Sequence, residues 1–135
     1  MTTAAILGCA GPTLSAEERH FFHEADPLGF ILFQRNCQTP EQVRRLVQDL
    51  RASIGRADAP VLIDQEGGRV ARLKPPHWRA APPAARFGAL AERDPAAAET
   101  AARLNARLIA GELPRSASPS TVRRWPTCRS PGHTM

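Results

Sequence analysis

Residues Val61–Lys74 read VLIDQEGGRVARLK. Val61, Leu62 and Ile63 form an apolar run too short for a helix, and it is bounded by turn formers, so Ala59–Asp64 is expected to be a buried strand. That strand closes on a carboxylate. Ligands of parallel α/β architectures sit beyond the carboxyl ends of the strands, so Asp64 is expected to face such a region. A carboxylate there can accept hydrogen bonds from two hydroxyls of a sugar. Gly67 and Gly68 would let the backbone turn sharply and approach a ligand closely. Arg69 and Arg72 lie three apart, and either can reach back to Asp64 or Glu66, or hold a ligand oxygen. The same residues also fit a structural arrangement, in which a strand-end acid pairs with a nearby arginine and Gly-Gly makes an ordinary turn.

Upstream, AAILGC (Ala4–Cys9) reads as a first buried strand, closed by Gly and Pro. Ser15 stands three residues before Glu18, a capping box that opens a helix running to about Ala25. GFILF (Gly29–Phe33) is a second strand. Thr39 as N-cap, Pro40 at the first helical position and Gln42 three after the cap open the next helix. Val43, Leu46, Val47, Leu50 and Ile54 recur at the spacing of one buried face, and Gly55 ends it. Downstream, a long Pro-rich loop is expected from Gln65 to about Pro83. An Ala-rich helix follows, with Asp94 as its cap and Pro95 in its first turn.

The order is strand, helix, strand, helix, strand. The strands are continuously apolar, which predicts a parallel sheet covered on both faces and an α/β fold.

The chain has 135 residues, the size of one domain or of a piece of a larger one. Its net charge of +5 is unevenly spread. All thirteen acids lie at or before Glu112, whereas Pro114–Met135 carries four arginines and no acid. The body is thus close to neutral and lacks the basic patch of a nucleic-acid-binding domain. The segment 114–135 has neither helical nor strand period and is expected to be a disordered basic tail. The N-terminus has no basic start and only a short apolar stretch. No signal peptide is therefore expected, no membrane association, and a cytoplasmic location.

Three cysteines, Cys9, Cys37 and Cys128, lie far apart without metal-ligand spacing and read as buried or idle thiols. His20 and His23, at i and i+3, could ligate a metal, but no third ligand is placed, so an amphipathic helix surface is the expectation and no metal site is assigned. Arg35 and Asn36 end the second strand and could line the pocket or pin the loop. His77 and Trp78 could form a sugar-stacking wall, or Trp78 could pack on the rim.

Taken together, GFILFQRN (Gly29–Asn36), PVLIDQEGGRVARLKPPHW (Pro60–Trp78) and PPAARFG (Pro82–Gly88) resemble the N-terminal part of bacterial β-N-acetylhexosaminidases of glycoside hydrolase family 3. The likeness runs from about Ile6 to Leu113. It implies the N-terminal portion of a (β/α)8 TIM barrel, incomplete in this chain, since such a barrel takes roughly 250 residues. It also implies a cytoplasmic, retaining glycosidase of cell-wall recycling that releases terminal N-acetylglucosamine from muropeptides. No metal or organic cofactor is implied, and the full-length form is expected to be a monomer. By the same resemblance Asp64 and Arg72 bind sugar hydroxyls, and Glu66, Gly67, Gly68 and Arg35 are candidates to line the pocket. No residue of this chain matches the family's nucleophile or its acid/base group, so no catalytic residue is assigned and the chain itself is expected to be inactive.

The tail departs from this pattern abruptly. Read in a shifted frame from the third base of the Pro114 codon, Ser and Arg codons of the TCN and CGN boxes give recurrent NTC, which encodes Phe, Leu, Ile or Val. The shifted reading alternates apolar residues and resembles the family's next strand, so 114–135 is expected to be a frameshift product. An open part of a barrel would leave an unpaired strand edge and marginal stability. The competing expectation is a small α/β protein whose arginine tail binds RNA or another polyanion.

Overall fold

The computed structural model describes residues 1–113, so the expected basic tail at 114–135 lies outside the described residues. Three parallel strands, β1 (Thr3–Leu7), β2 (Pro27–Leu32) and β3 (Val61–Ile63), form one sheet in the order β1-β2-β3. The crossovers are α1 (Ala16–Ala25) and α2 (Pro40–Ser53). A two-stranded antiparallel hairpin follows, β4 (Gln65–Gly67) and β5 (Val70–Ala71), and then α3 (Ala84–Ala91) and α4 (Pro95–Glu112).

Three of the four described α-helices, α1, α2 and α4, start where the sequence signals place them. The Ser15 hydroxyl accepts from the Glu18 amide at 3.1 Å, and the Glu18 carboxylate accepts from the Ser15 amide at 3.0 Å, a closed capping box. Thr39 caps α2 by accepting from the Gln42 amide at 3.2 Å, with Pro40 in the first turn. Asp94 does the same for α4, accepting from the Ala97 amide at 3.0 Å.

On α2, Val43, Leu46, Val47 and Leu50 are buried as their spacing requires. They meet Phe30, Leu32 and Val61 of the sheet and Phe22 of α1 in one core. Phe22 and Phe30 pack edge to face, with ring centroids 5.2 Å apart. The pairing register puts Leu7, Phe30 and Val61 on this helix-covered face. The opposite face carries Ile6, Ile31 and Leu62, of which Ile6 is exposed and the other two are half-buried. The expectation of two covered faces therefore holds for only one. Continuous apolar runs report burial that a sheet needs, not burial that a given stretch of chain supplies. Within the described residues β1 and β3 each pair on one side only, and no closed barrel is present.

Between α1 and β2 no turn is inserted. Asp26 takes the left-handed conformation (φ 39°) as the C-cap of α1, and β2 starts at once with Pro27. Arg56 secures this corner by pairing with Asp26 at 3.1 Å and by donating to the carbonyls of Pro27 and Leu28. The strand consequently spans Pro27–Leu32 instead of Gly29–Phe33, and β1 spans Thr3–Leu7 instead of Ala4–Cys9.

The expected loop from Gln65 to Pro83 contains the β4–β5 hairpin, and α3 follows it. Strands of three and two residues are too short to show a period, and α3 has no side-chain cap and no buried residue to announce it. After the hairpin, Leu73 and Trp78 turn into the core. Arg79 then ties this segment to α4, donating to Asn105 Oδ1 at 3.2 Å and pairing with Glu112 at 3.4 Å.

Candidate functional site

At the carboxyl end of the sheet, three segments converge: the turn after β2, the end of β3, and the hairpin. Asp64 is the residue after β3 and continues the side-chain row of Leu62. Its Oδ2 accepts from Arg72 Nη2 at 3.0 Å. The Asp64 side chain is 46% exposed and that of Arg72 26%, so the pair is formed but open to solvent. Arg72 Nε is buried and has no hydrogen-bond partner. A guanidinium has five N–H donors, so this one keeps donors beyond those that Asp64 takes.

Gln65, which the sequence reading did not single out, holds this geometry. Its side-chain Oε1 accepts from the backbone amides of Arg72 (2.8 Å) and Leu73 (3.0 Å), and its Nε2 donates to the Leu73 carbonyl (3.0 Å). The available signal was a polar residue between two acids whose position in a short strand points it inward.

Gly67 and Gly68 serve the packing of the chain on itself. Gly67 has φ +100°, and a Cβ there would stand 2.4 Å from the Pro82 carbonyl oxygen. Gly68 has φ +60°, and its Cβ would stand 2.6 Å from that of Pro83, while its amide donates to the Ala81 carbonyl at 2.9 Å. The close approach that glycine permits is thus made to Ala81–Pro83. Glu66 and Arg69 are exposed, and of the two arginines beyond Gly-Gly it is Arg72 that pairs with Asp64.

Asn36 pins the loop. It is fully buried, its Oδ1 accepts from the Phe33 amide at 2.8 Å, and its Nδ2 donates to the carbonyls of Gly11 (2.8 Å) and Cys9 (3.1 Å). Arg35 lies with its guanidinium 4.5 Å from the Phe33 ring centroid and donates Nε to the Cys9 carbonyl at 3.2 Å, while the residue remains exposed. Lys74 Nζ donates to Gln34 Oε1 at 2.9 Å, linking the turn after β2 to the segment after the hairpin. Trp78 is 8% exposed and takes the packing role, with His77 outside it.

His20 and His23 are both exposed on α1, and no group of three potential metal ligands exists among the described residues. Burial pushes the Cys9 thiol up and raises that of Cys37 to about 11. No described helix is long and apolar enough to cross a membrane.

No protein-family model matches the chain. Among curated proteins it is 43% identical over 110 residues to the beta-hexosaminidase of Xanthomonas axonopodis pv. citri, covering 80% of this chain and 32% of that protein. It is 42% identical over 101 residues to the beta-hexosaminidase of Methylococcus capsulatus, covering 75% of this chain and 30% of that one. Among solved structures, NagZ from Neisseria gonorrhoeae in complex with N-trifluoroacetyl-D-glucosamine superposes with a TM-score of 0.77 at 31% identity, over 86% of this chain and 34% of that one. A glycoside hydrolase family 3 beta-N-acetylglucosaminidase from Paenibacillus sp. gives a TM-score of 0.69 at 29% identity, over 83% of this chain and 20% of that one.

An α/β chain with an acid–arginine pair at the carboxyl end of a parallel sheet is here matched in sequence and in fold to sugar hydrolases. By both measures the chain is similar to bacterial beta-hexosaminidases and to a glycoside hydrolase family 3 beta-N-acetylglucosaminidase, and it spans about a third of the length of the curated relatives it matches.

Proposed function

We propose that this chain forms the sugar-holding part of a retaining β-N-acetylhexosaminidase, in which Asp64 and Arg72 grip the hydroxyls of a terminal N-acetylglucosamine. The observation that carries this reading is the solvent-open Asp64–Arg72 pair at the end of β3. An ionised carboxylate only accepts hydrogen bonds and a guanidinium only donates them. A sugar hydroxyl does both, so neighbouring hydroxyls can donate to Asp64 while accepting from Arg72. The pair is charge-neutral overall, which suits an uncharged sugar.

In the whole protein the β3 edge and the half-covered face of Ile6, Ile31 and Leu62 would be completed by further strands of a (β/α)8 barrel. The retaining route needs a carboxylate nucleophile and a separate acid/base group, and neither is assigned to any residue of this chain. The natural substrate would be a muropeptide of cell-wall recycling, handled in the cytoplasm by a monomer. Glu66, Gly67, Gly68 and Arg35 would border the same pocket, although the glycines also meet the chain's own prolines.

Calorimetric titration of the chain with N-acetylglucosamine tests the proposal. Weak binding that disappears in Asp64→Ala is expected, with no hydrolysis of a chromogenic N-acetylglucosaminide. Binding that survives Asp64→Ala, or turnover above background, would overturn it.

A further inference from the structure

We infer that Gln65 is a positioning residue for this sugar site, fixing where the Arg72 guanidinium stands relative to Asp64. The inference deepens the proposed role of Asp64 and Arg72 and rests on it.

The β4–β5 ladder pairs Gln65 with Ala71 and Gly67 with Val70, and β5 ends at Ala71. Arg72 and Leu73 therefore leave the ladder, and their backbone groups must find partners elsewhere. The Gln65 side chain supplies them. A primary amide carries the same donor and acceptor as a peptide group. Here its oxygen takes two successive backbone N–H groups and its nitrogen the Leu73 carbonyl. The side chain thus extends the hairpin by two residues in place of a strand.

The consequence for Arg72 is a hold at two points. Asp64 engages its guanidinium, and the next residue, Gln65, engages its backbone amide. Leu73, 1% exposed, anchors the following position in the core. A long flexible side chain is aimed only as well as its Cα is fixed, and among these contacts only the Gln65 amide fixes Arg72 by its backbone. Gln65 is itself 9% exposed, so its amide is shielded from competing water.

The test uses the full chain, N-acetylglucosamine as the probe, and two variants. Gln65→Met keeps the length of the side chain without its amide. It is expected to weaken sugar binding by about tenfold or more, the equivalent of one lost well-made polar interaction. It should also speed backbone hydrogen exchange at Arg72 and Leu73 while leaving Phe30 and Leu46 unchanged. Gln65→Glu retains an acceptor at every pH but donates to the Leu73 carbonyl only when protonated. Its sugar affinity should recover as pH falls from about 8 to about 5, against a flatter profile for the unaltered chain. A lower melting temperature with unchanged affinity would make Gln65 purely structural and overturn the inference. If the unaltered chain binds no sugar, the proposed function fails by itself. The positioning claim is then decided by nitrogen relaxation of Arg72 Nε, which must become more mobile in Gln65→Met. Unchanged mobility overturns it.

Discussion

Asp64 and Arg72 are eight residues apart in sequence and 3.0 Å apart in space, joined across a hairpin that turns at Gly68 and Arg69. Because the pair is partly exposed, its contribution to folding is small, roughly 0–1 kcal/mol. Replacement Arg72→Lys should therefore leave urea unfolding shifted by less than about 1 kcal/mol. It should still abolish measurable N-acetylglucosamine binding, because an ammonium cannot reproduce the planar fork of donors. Retained sugar affinity would show that only the positive charge matters.

Three glycines should respond differently to alanine. Gly67 combines φ +100° with backbone 2.4 Å from the would-be Cβ, and Gly67→Ala should cost about 3 kcal/mol or prevent folding. Gly55, at φ +65° in open space, should lose only about 1 kcal/mol. Gly88 lies within α3 with nothing near it, so Gly88→Ala should stabilise by roughly 0.5–1 kcal/mol. Equilibrium urea unfolding of the three variants side by side checks the order.

Asn36→Ala should be among the most damaging polar substitutions. It leaves the Phe33 amide and the Cys9 and Gly11 carbonyls without this partner in a buried setting, at a cost of about 3 kcal/mol. A loss below about 1 kcal/mol would mean that water replaces the amide.

Acid should loosen the start of α1. Burial alone would raise the Glu18 carboxyl, but the amides of Ala10 and Ser15 and the Ser15 hydroxyl outweigh it and hold it below its ordinary value of 4.5. A folded pKa below the unfolded one gives stability that is present above about 4.5 and is lost as pH falls through the folded value. Glu18→Gln should flatten that part of the stability-against-pH curve while lowering the plateau at neutral pH. An acid limb of unchanged slope would sink the assignment.

Much of this architecture can be read from the chain. The caps at Ser15, Thr39 and Asp94 and the apolar spacing on α2 are local signals, and local physics decides them. The Asp64–Arg72 pairing was legible in part: Asp64 closes a strand, and Arg72 is one of the two arginines that the sequence puts within reach of it. What stayed hidden depends on distant partners. Gly67 and Gly68 look like ligand-facing glycines until Pro82 and Pro83 are seen against them. Gln65 looks like a spacer until its amide meets Arg72 and Leu73, seven and eight residues on. The start of β2 shifted because Arg56, thirty residues from Asp26, secures the corner where that strand begins. Trp78, open to either role in sequence, was settled by its burial within the core cluster.

The alternation along this ribbon also has a thermodynamic meaning. Asp64 and Gln65 are neighbours, as are Arg72 and Leu73, and in each pair one side chain is partly open to solvent while the other is buried. Each solvent-facing group is therefore tethered to an immobile one. The loss of freedom in ordering Arg72 falls largely on folding, so a sugar arriving at the site would meet a receptor that has already been stiffened.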